Sequence, residues 1–167
     1  LYYRPTFEEP PSLIAEFENR NDTLYDHYPE NTLSGCYTVT AIDSFDNESV
    51  PSISLCLDEC SNYVLPNVFS PNGDGINDVY RPQRTSYVEK VEMTIFNRWG
   101  IQVYYTEDKD INWDGKINKS DQLVSPGVYY YICDVYEYRL TGIEVYALTG
   151  FIYVFSGDAN EVFIETK

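Results

Sequence analysis

The stretch SPGVYYYICDVYEY, residues 125–138, limits the fold more than any other part of this chain. It opens on a Pro-Gly corner and continues through tyrosine, valine and isoleucine. Aromatic and β-branched residues suit a pleated, half-buried surface, and Pro-Gly marks where such a strand begins. The period of two recurs in VEMTI, 91–95, where Val91, Met93 and Ile95 face one way and Glu92 and Thr94 the other. Asn97-Arg98-Trp99-Gly100 breaks that run as a hairpin turn. The pattern predicts strands over 63–69, 88–97, 101–105, 127–138, 143–148 and 150–155. No segment sustains a helical period and no internal repeat is present.

The N-terminal third follows the same rule. In SGCYTVTAIDSFDNESVPSISLCL, 34–57, Tyr37, Val39 and Ala41 alternate with Thr38, Thr40 and Ile42. A polar turn follows, and Ile53 and Leu55 alternate again, which predicts a hairpin. LYYRP and SLIAEF upstream supply further strands. The pattern resembles the final strands of a fibronectin type III or related immunoglobulin-like module. The expected fold is all-β, two Ig-like antiparallel β-sandwich units with the first incomplete: 1–57, a polar linker over 58–62, and 63–167.

The chain carries 27 acidic against 11 basic side chains, a formal charge of -16. Phosphate backbones and anionic lipid surfaces repel such a chain, which argues against nucleic-acid binding and for a solvated or calcium-bathed extracellular setting. Its aromatic fraction of 16% sets it apart from disordered tails. No apolar run approaches the ~20 residues of a membrane helix, so no membrane insertion is expected. The N-terminus does not read as a signal peptide, and the sequence is expected to be the C-terminal piece of a larger exported protein. Cysteines stand at 36, 56, 60 and 133 with one histidine, His27, and no CxxC, which argues against zinc. Disulfides in an oxidising compartment are the better reading. Of three pairings, the hairpin favours Cys36–Cys56 within the first unit. Cys60–Cys133 would then join the linker to the long strand of the second.

Two loops are rich in groups that bind or turn. VFSPNGDGINDVYRP, 68–82, fails a calcium-loop template begun at Asn72, because Ile76, Asn77 and Gln83 fall where a ligand, the glycine and the last carboxylate belong. It lacks the lysine and helix of a phosphate loop. A tight corner remains, with Gly73 and Gly75 free to take positive φ and Asn72, Asp74, Asn77 and Asp78 free to form Asx turns. DINWDGKINKSD, 110–121, fits the calcium template better, with Asp110, Asn112, Asp114, Gly115 and Asp121 in register. Its flanks read as strands, however, and Trp113 is bulky for a ligand loop. The competing reading there is a plain β-hairpin excursion. His27 has no Ser or Cys set beside it, and carboxylate pairs in so acidic a chain arise by chance. The expectation is a non-catalytic module with no cofactor and no metal.

LPNVFSPNGDGIND, VEKVEMTIFNRWGIQVYY, NWDGK and PGVYYYICDVYE, in this order over about residues 61–155, resemble the C-terminal sorting domain of gliding-motility-associated adhesins. These are type B cargo of the type IX secretion system, and such domains commonly follow immunoglobulin-like or fibronectin-like repeats. The resemblance implies a β-sandwich that serves as a secretion address. Its partners would be the outer-membrane translocon and a PorV-like β-barrel shuttle. Export would run through the periplasm to the outer-membrane surface or the medium. Carried over by motif, the positions are Pro71, Asn72, Gly73, Asp74, Gly75, Asn77 and Asp78; Asn97, Arg98, Trp99 and Gly100; Trp113, Asp114 and Gly115; and Gly127, Tyr129 and Tyr131. The expected partner-binding set comprises the first seven with Arg98, Trp99, Trp113 and Asp114, since exposed loops on a rigid sandwich carry specificity. Asp22-Thr23-Leu24 resembles the O-glycosylation acceptor of the same bacterial group, with Thr23 as the sugar carrier. The alternative function is an extracellular adhesive or calcium-stabilised β-sandwich module.

Overall fold

The computed structural model describes residues 1–155 apart from Arg20, Glu30, Asn31, Leu33 and Lys119. The tail 156–167, part of the expected second unit, lies outside the described residues. Eleven strands and no helix occur among the described residues. The chain separates into two compact units, one of residues 1–61 with 137–144, the other of 62–136 with the run from Val145 onward.

In the first unit, β1 (Tyr2–Arg4), β2 (Ser12–Leu13), β3 (Gly35–Thr38) and β4 (Leu55–Leu57) form one antiparallel sheet in the order β2-β1-β3-β4. The β3–β4 register sets Cys36 opposite Cys56, and the two are disulfide-bonded. Ladder pairing of the predicted hairpin stops early, after Tyr37–Leu55, with one isolated bridge farther on between Ile42 and Glu48. Beyond it the chain turns on Asp43, whose carboxylate accepts the amides of Phe45 and Asn47 at 2.8 and 3.0 Å. The stretch 58–61 is hydrogen-bonded within the first unit. Arg139 forks onto the Asp58 carboxylate at 3.0 and 2.9 Å, and the Ser61 amide donates to Glu137 at 2.8 Å. A bidentate arginine fixes geometry in a way a single contact does not.

The second unit holds β5 (Asn62–Val64), β6 (Val68–Phe69), β7 (Arg84–Ser86), β8 (Val88–Phe96), β9 (Gln102–Thr106), and most of β10 (Gly127–Arg139) and β11 (Gly142–Val154). Five strands form a sheet in the order β6-β11-β10-β8-β9, with β6 parallel to β11, while β5 and β7 pair separately. Val91, Met93 and Ile95 are all fully buried, as their alternation requires, and pack with Cys133, Val135 and Ile152. The runs predicted as 143–148 and 150–155 are one strand. Gly150 does not break it, because the ring and hydroxyl of Tyr131 occupy the place a Cβ would take, at 2.7 Å from the nearest atom.

The tyrosines of this core fasten loops. Tyr63, Tyr80, Tyr104 and Tyr129 donate their hydroxyls to the carbonyls of Lys109, Pro66, Ile111 and Ser125, all within 2.6–2.7 Å. Each buries a large apolar ring while its polar end satisfies a loop carbonyl that would otherwise be costly to bury. Burial pushes the phenols of Tyr63 and Tyr80 far above their ordinary range, so they act as neutral donors.

The Cys60–Cys133 bridge is not formed. Cys133 points into the core of the second unit, and burial pushes its thiol up to about 12. Cys60 is exposed in the first unit, its sulfur taking a hydrogen bond from Arg139 at 3.4 Å.

Candidate functional site

The loop 70–78 is a closed ring of short hydrogen bonds. Asp78 sits at its centre, its two carboxylate oxygens accepting the amides of Gly73 and Gly75 at 2.6 and 2.7 Å. Asn72 takes the Asp74 amide at 3.2 Å and donates its own side-chain nitrogen back to Asp74 at 2.8 Å. Asp74 in turn accepts from Ile76 at 2.7 Å, and the Ser70 amide closes on the Asn77 carbonyl at 3.0 Å. Gly73, Gly75 and Asn77 take positive φ of 79°, 85° and 54°, which only glycine and a few short polar residues adopt cheaply. The amides of Gly73, then Gly75, hold the Asp78 carboxyl below the usual aspartate range.

Residues 113–115 support the ring from below. Gly115 is buried, and a Cβ there would stand 2.7 Å from Pro71 Cγ and 3.6 Å from Phe69. Tyr80 and Trp113 exchange backbone hydrogen bonds at 2.8 and 3.2 Å. Trp113 is fully buried among the rings of Phe69, Tyr104 and Tyr129, at centroid distances of 5.1, 5.7 and 6.0 Å. Its indole nitrogen donates to the Lys116 carbonyl at 2.8 Å. Rings far apart in sequence, from Phe69 and Tyr80, from Tyr104 and from Tyr129, thus meet around one indole.

The turn at 97–100 is built differently. The Asn97 side-chain oxygen accepts the amides of Trp99 and Ile101, both at 3.0 Å, which leaves the Trp99 ring 73% exposed with the Arg98 guanidinium 4.8 Å from its centroid. Arg98 and Trp99 border a cleft of about 190 Å³ shared with Leu123, Pro126 and Tyr129.

The family model of the CHU_C type IX secretion signal domain matches residues 63–158, more than half of the chain. The chain belongs to the type IX secretion signal domain family. No curated protein and no solved structure matches it. As a type IX secretion signal domain the chain carries a sorting signal for export to the cell surface or the medium, and that role implies interaction with the type IX machinery.

Within this signal domain the expected partner-binding residues divide by exposure. Gly73, Asp74, Gly75, Asn77, Arg98, Trp99 and Asp114 are exposed, and Pro71, Asn72 and Asp78 are partly so. Trp113, expected in the binding set, is instead fully buried in the core and presents no surface to a partner. The loop 110–121, which resembles a calcium template, brings an ammonium near two of its carboxylates, with Lys116 Nζ 3.3 Å from Asp114 and 3.9 Å from Asp121. Thr23 is exposed in the first unit. His27 lies among Tyr3, Tyr25 and Tyr37, its Nδ1 3.0 Å from the Tyr37 hydroxyl. The motifs announce Pro71 and Gly115 separately; only the fold shows that they touch. Beside the ring, Val68, Asn77, Asp78, Arg81 and Gln83 line a shallow cavity of about 380 Å³.

Proposed function

We propose that the second unit is read in its folded form by the outer-membrane translocon and a PorV-like β-barrel shuttle, and that two exposed features carry the reading. One is the 70–78 ring with its neighbouring cavity; the other is the Arg98–Trp99 turn. The observation behind this is that both are exposed yet held by internal hydrogen bonds. Preorganised groups lose little freedom when a partner closes on them. Tryptophan and arginine are also the side chains that most often anchor an interface. The adhesive, calcium-stabilised alternative has less support, because Lys116 already stands beside two of the carboxylates it would use, Asp114 and Asp121. Thr23 as a glycan acceptor is likewise a proposal; mass spectrometry of the exported chain finding no hexose on that peptide would remove it.

The test is export. The chain is fused behind a signal peptide and a fluorescent protein in a gliding bacterium, with and without its type IX translocon. Fluorescence outside the cell only when the translocon is present supports the sorting reading. Arg98→Ala and Trp99→Ala should then lower export while the purified chains melt as the parent does. Undiminished export of both would remove the 97–100 turn from the recognised surface.

A further inference from the structure

β11 is 13 residues long, yet on the side away from β10 only Tyr153 and Val154 find a strand partner among the described residues, in β6. The amides of Tyr153 and Phe155 reach that side, donating to the carbonyls of Asn67 and Phe69 at 2.8 and 3.1 Å. Backbone groups alternate in direction along a strand. The N–H and C=O of Val145, Ala147, Thr149 and Phe151 therefore face the same side, past the end of β6. All four residues are exposed, Val145 and Phe151 by about half (52% and 50%).

An edge of this kind is normally guarded by charge, proline, shortness or a covering segment. VYALTGF, 145–151, has neither a charged residue nor a proline, and β-branched and aromatic residues favour strand pairing. The opposite edge of the sheet shows the contrast: β9 has five residues and runs straight into Glu107 and Asp108. Charge indicates what covers this edge, left open among the described residues. The chain carries -16 overall, so a second copy laid along this edge would bring like charge to like charge, whereas a neutral or basic strand meets no such opposition.

We propose that the Val145–Phe151 edge of β11 accepts an extended segment of a different protein, a strand with apolar side chains at alternate positions and neutral or basic flanks, added by main-chain hydrogen bonds. The proposal rests on the sorting reading, and the partner belongs to the export machinery. Val145 and Phe151 supply the apolar contacts on the outer face of the sheet, and the ladder supplies the rest.

Two variants test it in the export assay with the whole chain. Thr149→Pro removes an edge-facing N–H and leaves the amides facing β10 in place, since proline is tolerated where that N–H faces solvent. Ala147→Lys places a charge on the edge without altering the backbone, which keeps the test open should proline unfold the strand. With the parent fusion exported and the purified variants melting within a few degrees of it, the expected result is export reduced about tenfold or more, the change that ~1.4 kcal/mol of lost binding makes. Export of both variants at the parent level overturns the edge proposal and leaves the sorting reading standing. Failure of the parent itself to be exported overturns both. A purified parent chain that sediments as a dimer, and as a monomer once Thr149→Pro is made, overturns the choice of a different protein as occupant.

Discussion

Gly115→Ala tests whether the contact under the ring is what holds 69–80 and 113–115 together. Two costs combine at this position. The backbone has φ +79°, where an alanine costs about 1–2 kcal/mol. The new methyl also meets Pro71 Cγ at 2.7 Å and Cβ at 3.0 Å, and a proline ring cannot rotate away, so overpacking adds about 1–3 kcal/mol. Gly73→Ala is the matched control, with the same φ of +79° but nothing within 4 Å of the added methyl. It should cost only the backbone share, about 1–2 kcal/mol. Both tryptophans, Trp99 and Trp113, belong to the second unit, so urea unfolding followed by tryptophan fluorescence reports on that unit. The expected losses are about 3 kcal/mol for Gly115→Ala and about half that for Gly73→Ala. Pro71→Ala in the Gly115→Ala background should return about 1–2 kcal/mol as a coupling term. Equal losses at the two glycines, or a double-mutant cycle with no coupling, would refute the claim that Pro71 is what excludes a side chain at 115.

Three further outcomes are expected. Replacing Cys36 and Cys56 together with alanine removes a crosslink spanning 20 residues and should cost the first unit about 3 kcal/mol by loop entropy, read by calorimetry; an unchanged transition would contradict it. Thiol titration of the native chain should find one accessible group, Cys60, with Cys133 reacting only after unfolding; two inert thiols in the native and the unfolded chain would restore the Cys60–Cys133 bridge. Because its carboxyl is held below the ordinary range by the Gly73 and Gly75 amides, Asp78 stabilises the ring fully above the ordinary aspartate pKa, and that stabilisation is lost as pH falls through the lowered value. The Gly73 and Gly75 amide resonances should therefore shift only at acid pH, and a midpoint at or above that of an ordinary aspartate would show the bonds to be weak.

The long strands were legible because burial on one face leaves a period of two, as at Val91, Met93 and Ile95. The split of β11 into 143–148 and 150–155 has no counterpart in the fold, and only the fold shows that Gly150 admits the ring of Tyr131. β7 escaped notice because Arg84-Thr85-Ser86 pairs through its backbone and offers little apolar pattern. Trp113 looked like a loop residue because its neighbours Asn112 and Asp114 are polar and exposed; nothing local says that the indole turns inward. The disulfide within the first unit followed from hairpin register. The second pairing failed because leftover cysteines carry no information about which face each one occupies.

The ring also sets how this signal ages. Asn-Gly is the dipeptide in which the asparagine side chain most readily closes on the next backbone nitrogen, ending as aspartate or its isomer. Here that nitrogen, at Gly73, is committed to Asp78 at 2.6 Å, while the Asn72 amide is committed to Asp74 at 2.8 Å. While the ring is closed, the attacking nitrogen and the side-chain amide are both engaged elsewhere. Once it opens for long enough to react, the new carboxylate at 72 faces Asp74 where a donor used to be. The ring then cannot close as before, and the change is a one-way mark of a chain that has spent time open.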